Sequence, residues 1–414
     1  MTVRVLVGDC RETLATLPAG SVHCIVTSPP YYGLRDYGEA AQIGLEDTPD
    51  AYVAEMVGVF RELRRVLRED GVAWLNLGDS YSAAGRSGGG DQGARYEVYG
   101  DTRAGERGGR WRSTAGIDAG NLLGIPWRVA FALQSDGWTL RDACVWHKPN
   151  PMPESVAGTR WEGDTLRRGS WRHTSAHEMV FMLTRGMGYF ADQEAVREEN
   201  SESSGGWQTR AKRGLLRSYA NGYGGNSETM QSKRDGSPAE DGLGGVAGQN
   251  PSGRNPRNVW SITTRPYSGA HFATMPPDLA ERCIKAATSA KGVCPACGAQ
   301  WAPVVERVPV KAERERNVGG RMDGFTRMPG GQAEWDARPG RTVLGHRPTC
   351  NCPPADPIPA TVLDPFGGAG TTALVADRLG RDAIICELNA DYSELARARV
   401  AADAPMFAAV EVKP

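Results

Sequence analysis

The 414-residue sequence has no apolar run long enough to cross a bilayer and no excess of either charge. Because a membrane-spanning helix needs about 20 consecutive apolar residues, we expect no membrane partner. The first residues, MTVRVLVGDC, reach charged and polar positions too early for a secretory signal, which favours a reducing, cytoplasmic compartment. Lys and Arg total 48 against 49 for Asp and Glu. Bulk charge therefore does not indicate a nucleic-acid partner, although a balanced total can hide a basic cleft.

Short apolar runs alternate with helical periods along most of the chain. VRVLVGD and VHCIVTSPP have the pattern of strands, and AYVAEMVGVFRELRRVL has the pattern of an amphipathic helix. This alternation predicts an α/β fold with a mostly parallel sheet covered by helices on both faces. Three segments interrupt it. Residues 85–120 are rich in Gly and Arg, residues 200–257 are rich in Gly, Ser and Asn, and residues 291–355 are bounded by paired cysteines.

The stretch TSPPYY follows the strand-like run VHCIV directly. Neither proline can donate a backbone hydrogen bond and both fix φ, so the strand has to end there and the following residues are held in one shape. A rigid turn at the edge of a sheet suits a functional site better than a linker. The alternative is a proline-stiffened turn with two surface tyrosines.

The closing βαβ unit, at about 361–403, contains the turn PFGGAG between Asp364 and a helix that opens at Thr371. Its glycines let the backbone approach a ligand, and the helix N-terminus offers N–H groups to a carboxylate or phosphate. Glu387 ends the next strand, where an acid accepts hydrogen bonds from ribose hydroxyls. The loop lacks the Lys of a P-loop and the G-x-G-x-x-G spacing. A nucleoside that bears a carboxylate and an amine, as S-adenosylmethionine does, therefore fits better than ATP or NAD. The alternative is that the glycine loop is only a tight structural turn.

Four of the nine cysteines form two close pairs. These are Cys294 and Cys297 in CPACG, and Cys350 and Cys352 in CNC. Two such pairs suit tetrahedral zinc in an inserted ribbon, with free thiols as the alternative. His346 is near enough in sequence to be a substitute ligand, but an exposed loop histidine is the favoured interpretation. Of the remaining cysteines, Cys10 and Cys24 neighbour strands and are expected to be core thiols.

TSPPYYGLRDYG and LDPFGGAGTT resemble the motifs of the amino-group DNA methyltransferases of the permuted class called beta, in which a [SDN]-P-P-Y motif precedes an F-x-G-x-G motif. Further segments are similar too: VGDCRETL, WLNLGDSY, VWHKPNPMP, SAHEMVFMLTR, RNVWSITT and HFATMPPDL. The resemblance implies a Rossmann-like S-adenosylmethionine-dependent methyltransferase sheet with circularly permuted motif order. The zinc ribbon departs from the minimal family pattern.

The resemblance also implies the roles of individual residues. Ser28 and the Pro29 carbonyl would accept hydrogen bonds from the target amine, Pro30 would stiffen the acceptor, and Tyr31 would stack on a base flipped out of double-stranded DNA. The implied cofactor contacts are Asp9 at the adenine, Glu387 at the ribose, His271 and Phe272 closing from the far side, and Asp364, Phe366, Gly368, Gly370 and Thr371 at the methionine end.

The implied activity is site-specific DNA methylation of the bacterial or phage restriction–modification type, by a monomer or homodimer. Cytosine N4 is favoured, because Ser at the first motif position is more frequent among those enzymes. Adenine N6 stays open, as do methylation of RNA or protein and a non-catalytic zinc-bearing DNA-binding regulator. Arg, Gly and aromatic residues at 85–120, 160–173 and 205–257 are expected to contact DNA, with solvated linkers as the alternative.

The composition and the resemblance together predict the following division of the chain. The segments are a catalytic half at 1–84 and 121–199, a Gly/Arg-rich loop at 85–120, a flexible target-recognition or linker insertion at 200–257, a cofactor-closing segment at 258–290, a zinc ribbon at 291–355 and a cofactor-binding βαβ unit at 356–414.

Overall fold

The computed structural model describes residues 1–39, 41–82, 117–118, 120–153, 158–167, 169, 171–198, 253–265, 267, 274–308, 340–403 and 409–413. His271 and Phe272 lie outside the described residues, as does most of the predicted loop at 85–120 and of the insertion at 200–257. The chain divides into two compact units. Unit 1 comprises Met1–Ala195, Arg257–Ala302 and Pro348–Pro414, and unit 2 comprises Val196–Pro256 and Pro303–Arg347.

Strands and helices alternate through most of unit 1. Strands β1 to β13 span Thr2–Val7, Val22–Thr27, Leu67–Leu77, Thr139–His147, Arg160–Glu162, Thr165–Arg167, His177–Thr184, Val259–Ser261, Trp301–Val308, Gly340–Pro348, Thr361–Asp364, Asp382–Glu387 and Ala409–Lys413. Helices α1 to α6 span Cys10–Ala15, Pro49–Val66, Ile125–Ser135, Pro277–Ala287, Thr371–Arg378 and Ala390–Asp403, and a 3-10 turn lies at Glu194–Val196.

Nine strands form one sheet in the order β13-β1-β12-β11-β2-β3-β7-β4-β8. Strand β7 runs antiparallel to both of its neighbours, and the other paired strands are parallel. The predicted α/β fold with a mostly parallel sheet is therefore confirmed. Because the carboxyl ends of parallel strands meet at one edge, the residues that follow β2, β4, β11 and β12 share the edge where open α/β sheets bind ligands.

Helices cover both faces of the sheet. On one face, side chains of α1, α2 and α3 pack with alternate strand residues such as Ile25, and on the other face α4, α5 and α6 pack with residues such as Cys24 and Val26. The period of two along β2 sends its side chains to both cores. Cys10 and Cys24 are buried in these cores, as predicted, and burial raises the pKa of the Cys10 thiol to about 12.

Local sequence explains where elements begin and end around the motif TSPPYY. Strand β2 ends at Thr27, the last position before the serine and the two prolines. Helix α2 begins at Pro49 after Thr48, whose side chain accepts a hydrogen bond from the Ala51 N–H at 3.1 Å. Proline at the first helical position and threonine at the N-cap are both favoured there. The loop between these points is thereby held at both ends.

Two small ribbons lie outside the large sheet. Strands β5 and β6 form an exposed antiparallel hairpin, and β9 pairs with β10 between the two cysteine pairs. Both strands lie in the segment 291–355, for which the cysteine spacing predicts a zinc ribbon. Within the part of the chain that the structure describes, every helix is too short or too polar to cross a membrane.

Candidate functional site

The motif TSPPYY lies at the carboxyl end of β2. Ser28 and Pro30 line a cleft at this edge of the sheet, and Pro29 is buried behind them. The Pro30 carbonyl accepts a hydrogen bond from the buried Tyr52 hydroxyl at 2.9 Å, so helix α2 holds the turn from below. The structure thus places the proline pair in a turn whose backbone is anchored to the core.

The half-buried Tyr31 places its hydroxyl in a polar cluster between β2, β3 and β7, next to Ser28. Its hydroxyl donates to Glu178 Oε2 at 2.6 Å and lies 3.3 Å from Ser28 Oγ. Asn76, which is buried in β3, donates to the same carboxylate at 2.8 Å. Lys148, just past the end of β4, forms an ion pair with Glu178 Oε1. These contacts fix the ring of Tyr31 at its outer end.

The glycine loop closes tightly against the neighbouring strand and helix. Gly368 and Gly370 have φ of +50° and +73°, which favours glycine at both positions. A Cβ at Gly370 would lie 2.8 Å from the Ala396 Cβ, so a side chain there has no space. Glu387 at the end of β12 accepts from the Gly368 N–H at 2.7 Å and the Asn389 N–H at 2.9 Å. The Glu387 carboxylate is therefore hydrogen-bonded directly to the glycine loop.

Asp364 joins the two sequence motifs. Its carboxylate accepts hydrogen bonds from Thr27 Oγ1 at 2.8 Å and Thr372 Oγ1 at 2.7 Å, and from the Phe366 N–H at 3.1 Å. The side chain is buried, and this burial raises the pKa of Asp364 to about 7 against hydrogen bonds that favour the charged form. Since Thr27 precedes Ser28, one carboxylate braces both β2 and the glycine loop.

Eight of the 13 residues predicted for catalysis and cofactor binding come together in a single cleft of about 190 Å³. Those that line it are Asp9, Ser28, Pro30, Asp364, Phe366, Gly368, Thr371 and Glu387. Pro29, Tyr31 and Gly370 are neighbours of lining residues but do not line the cleft themselves. His271 and Phe272 lie outside the described residues. Thr274 and Met275, shortly after them in the chain, line the cleft. Residues from both the first and the last parts of the chain therefore line the cleft.

Asp9, which lines the cleft, also caps a helix. It caps helix α1 by accepting from the Arg11 N–H at 2.8 Å, and it pairs with the Arg11 guanidinium at 2.5 Å. Burial acts to raise the pKa of Asp9, but the hydrogen bonds from Arg11 outweigh it and lower that pKa. The residue stays a carboxylate beside the cleft.

Sequence reasoning missed five polar residues of this region. Glu39, which follows the tyrosine motif, accepts a hydrogen bond from Asn389 Nδ2 at 3.0 Å across the cleft. Asn76, Lys148 and Glu178 form the cluster behind Ser28. Asn76 had a signal in its own residue type, because a polar residue inside the apolar run AWLNL is unusual. Lys148 and Glu178 lie in segments that resemble the family, but the resemblance assigned no role to them.

The four paired cysteines converge at the opposite edge of the sheet. Their sulfur atoms all lie within 4.8 Å of one another. Among the described residues, His346 does not belong to this group of possible metal ligands. The Cys294 carbonyl accepts from the Gly298 N–H at 2.8 Å, which closes the CPAC turn. N–H groups of Cys297 and Ala296 lower the pKa of the Cys294 thiol to about 7. Four thiolates around one zinc ion at about 2.3 Å would lie roughly 3.8 Å apart, so this group fits such an ion.

The fold and the cleft define an α/β protein with a ligand site at the carboxyl edge of its sheet. A family model described as DNA methylase, for N6 and N4 methyltransferases, matches residues 22–294 and 358–398. The chain belongs to this family and is a DNA methyltransferase of the N4/N6 amino-methyltransferase type.

Individual relatives agree with this membership. The chain is 31% identical over 399 residues to the Type II methyltransferase M.SmaI of Serratia marcescens, covering 96% of this chain and 90% of that protein. It is 39% identical over 288 residues to M.Cfr9I of Citrobacter freundii, covering 68% and 71%. Among solved structures, the PvuII DNA methyltransferase (cytosine-N4-specific) has a TM-score of 0.48 at 15% identity over 96% of this chain and 87% of that one. The M1.HpyAVI–SAM complex has a TM-score of 0.40 at 12% identity over 97% and 99%.

Proposed function

We propose that the protein transfers a methyl group from S-adenosylmethionine to an exocyclic amine of a base flipped out of double-stranded DNA, with cytosine N4 as the favoured target. The observation that carries this proposal is the shared cleft. Ser28 of the proline motif and Glu387 of the cofactor unit line the same space, although they lie at opposite ends of the chain.

The cofactor half of the cleft has groups for each part of the proposed donor. The Glu387 carboxylate uses lone pairs for two backbone N–H groups and keeps others for ribose hydroxyls. Helix α5 begins after Gly370 without a side-chain cap, so its first N–H groups are available to the methionine carboxylate. Asp9 is proposed to face the adenine amine, and His271 and Phe272 to close over it. When bound, the cofactor supplies the electrophilic methyl group.

The proline motif is proposed to activate the amine. An exocyclic amine is a poor nucleophile because its lone pair is delocalised into the ring. Two acceptors, Ser28 Oγ and the Pro29 carbonyl, would draw the nitrogen toward tetrahedral geometry and aim the lone pair at the methyl group, while Tyr31 stacks on the base. Catalysis then consists of alignment and electrostatics without a covalent enzyme intermediate.

Ser28→Ala tests these assignments. Loss of a positioned hydrogen-bond partner typically costs about 100-fold or more in rate, so single-turnover transfer of tritiated methyl to duplex DNA should fall by that amount. Calorimetry should find S-adenosylmethionine affinity unchanged, because Ser28 acts on the base. Transfer by Ser28→Ala at the wild-type rate would show that the catalytic assignment is wrong. Wild-type protein that transfers no methyl group would favour the DNA-binding regulator.

The base preference rests on the serine of the motif. Digestion of methylated duplex to nucleosides, followed by mass spectrometry, separates N4-methylcytosine from N6-methyladenine. We expect N4-methylcytosine, and N6-methyladenine would establish the alternative. Parallel assays on RNA and protein acceptors should give no transfer.

We also propose that Cys294, Cys297, Cys350 and Cys352 bind one structural zinc ion per chain. Elemental analysis of protein purified without added metal should find one zinc, and Cys297→Ser should lower that content. Cys10→Ala, which alters a buried thiol outside the cluster, should keep it. Protein without metal and with all four thiols free to titrate would refute the site.

DNA recognition is proposed to lie in the segments between the two motif-bearing ends of the chain. The connection from β4 to β7 begins and ends at the catalytic edge, and its hairpin exposes Trp161 and two arginines. Deletion of residues 205–250 should leave cofactor affinity unchanged, lower duplex affinity and make its salt dependence shallower. Unchanged affinity and salt slope would make that segment a spacer.

A further inference from the structure

A continuous hydrogen-bond network lies directly behind Ser28. It comprises Ser28, Tyr31, Asn76, Glu178 and Lys148, contributed by the ends of β2, β4 and β7 and by the interior of β3. Glu178 and Lys148 are largely shielded, with side-chain exposures of 11% and 20%. A shielded ion pair beside a proposed acceptor calls for a physical reason, because such pairs contribute little net stability.

The acceptor-only character of a carboxylate fixes the proton directions in this network. Tyr31 lies 2.6 Å from Glu178 Oε2, so its hydroxyl donates to that oxygen. Burial, and after it the charge of Glu178, raise the pKa of Tyr31 well above its usual value, so the hydroxyl keeps its proton. The lone pairs of the Tyr31 oxygen are then left to accept hydrogen bonds from Ser28 at 3.3 Å and Asn76 at 2.9 Å.

The amide of Asn76 has its orientation set by the same carboxylate. Its Nδ2 lies 2.8 Å from Glu178 Oε2 and 3.2 Å from Ser28 Oγ. Among the described residues no donor reaches its buried Oδ1. Turning the amide around would bring Oδ1 against the carboxylate, which is electrostatically unfavourable. The Tyr31 hydroxyl and the Asn76 amide thus both donate to Glu178, and Lys148 balances its charge.

We propose that Glu178, held by Lys148, is a positioning residue that directs the Ser28 hydroxyl proton toward Tyr31 and so leaves Ser28 Oγ as an acceptor facing the cleft. A serine hydroxyl carries one donor and two acceptor lone pairs. It accepts the target amine only if its own proton is directed elsewhere, and the Tyr31 oxygen is placed to receive it. This inference rests on the proposed function of Ser28.

Two variants change the polarity of the network with little change in shape. Tyr31→Phe keeps the stacking ring and removes the acceptor for the Ser28 proton. Glu178→Gln can satisfy Lys148 or Tyr31 through its single oxygen, but not both. Where its oxygen faces Lys148, its amide donates to Tyr31, and the tyrosine proton turns toward Ser28. Both variants should therefore lower the single-turnover rate by about 10-fold or more, with S-adenosylmethionine affinity close to wild type. Glu178→Gln should also lower the unfolding temperature, because Lys148 loses its counter-charge, whereas Tyr31→Phe keeps that ion pair.

The double variant separates positioning from a general structural effect. If Glu178 acts on Ser28 through Tyr31, Tyr31→Phe/Glu178→Gln should be no slower than Tyr31→Phe alone. Tyr189→Phe removes a tyrosine hydroxyl that bonds Arg141 outside the network and should keep the wild-type rate.

Three outcomes would overturn the inference. Wild-type rates in Tyr31→Phe and Glu178→Gln would overturn it alone, as would rate losses that multiply in the double variant. Wild-type protein that fails to methylate duplex DNA would overturn the proposed function, and this inference with it.

Discussion

Gly78, which follows β3, is the position where one added carbon should disturb the proposed chemistry most directly. An alanine Cβ there would lie 2.6 Å from Tyr31 Cε2 and 3.0 Å from Cδ2. Comfortable carbon–carbon contacts are about 3.5–4.0 Å, so the ring or the strand must move by roughly 1 Å. The ring cannot tilt away freely, because its hydroxyl is bonded to Glu178.

A displacement of about 1 Å costs on the order of 100-fold in rate, which corresponds to about 2.7 kcal/mol of transition-state stabilisation. Gly78→Ala should therefore show this loss in single-turnover methyl transfer to duplex DNA, with S-adenosylmethionine affinity by calorimetry within about twofold of wild type. Both measurements use the full chain.

Gly58→Ala is the matched control for this variant. Gly58 lies inside α2, and an added Cβ there meets no atom within 4 Å among the described residues. Alanine favours a helix interior over glycine by about 1 kcal/mol, so this variant should be slightly more stable and fully active. Gly78→Ala with a rate within twofold of wild type would refute the close packing of Tyr31 as a requirement for transfer.

Three further perturbations test other parts of the structure. Glu387→Gln should weaken cofactor binding by about 10-fold in calorimetry, because the proposed acceptor for the ribose hydroxyls is lost. Asp364 has a pKa of about 7 in the folded protein against an ordinary value of 3.8. The folded state therefore binds the carboxyl proton more tightly, and the free energy of unfolding falls as pH rises between those values. Asp364→Asn should flatten the dependence of the urea midpoint on pH in that window. Replacing Arg160 and Arg167 in the exposed hairpin with Gln should lower duplex affinity and make its salt slope shallower, whereas Arg61→Gln, on α2, should not.

The elements that local sequence determines were predictable. The proline pair ends β2 at Thr27, and the glycine run separates β11 from α5, because each depends on residues adjacent in the chain. Asp364 and Glu387 were recognisable for the same reason, since each ends an apolar run next to a turn. Their joint position in the cleft followed from the shared edge of parallel strands.

The polar cluster behind Ser28 depended on contacts that no local pattern encodes. Asn76, Lys148 and Glu178 meet only because the antiparallel β7 lies between β3 and β4. Strand order and direction result from pairing over long sequence separations, so periodicity could place these residues on strands without bringing them together. The contact between Glu39 and Asn389, separated by 350 residues, has the same origin.

The cysteine cluster and the cleft lie at opposite ends of the same strand. His23, near the start of β2, accepts from the Thr361 N–H through Nδ1 at 3.0 Å, so its Nε2 carries the proton and donates to the Gly298 carbonyl at 3.0 Å. Arg68 donates to the Cys297 carbonyl at 2.8 Å. These bonds attach the CPAC turn to the amino edge of the sheet, whereas Ser28 follows the other end of β2.

Ser28 lies five positions after His23, and five steps along an extended strand span about 17 Å. Removing the proposed zinc with a chelator should therefore increase hydrogen exchange around residues 291–302 and 348–355 first, because metal binding and local folding are coupled. Cofactor affinity should stay within about twofold of the metal-loaded protein, since no described cleft residue belongs to the cluster. Loss of cofactor affinity in proportion to zinc loss, at unchanged exchange of the cysteine turns, would contradict this separation and make the metal part of the cofactor site.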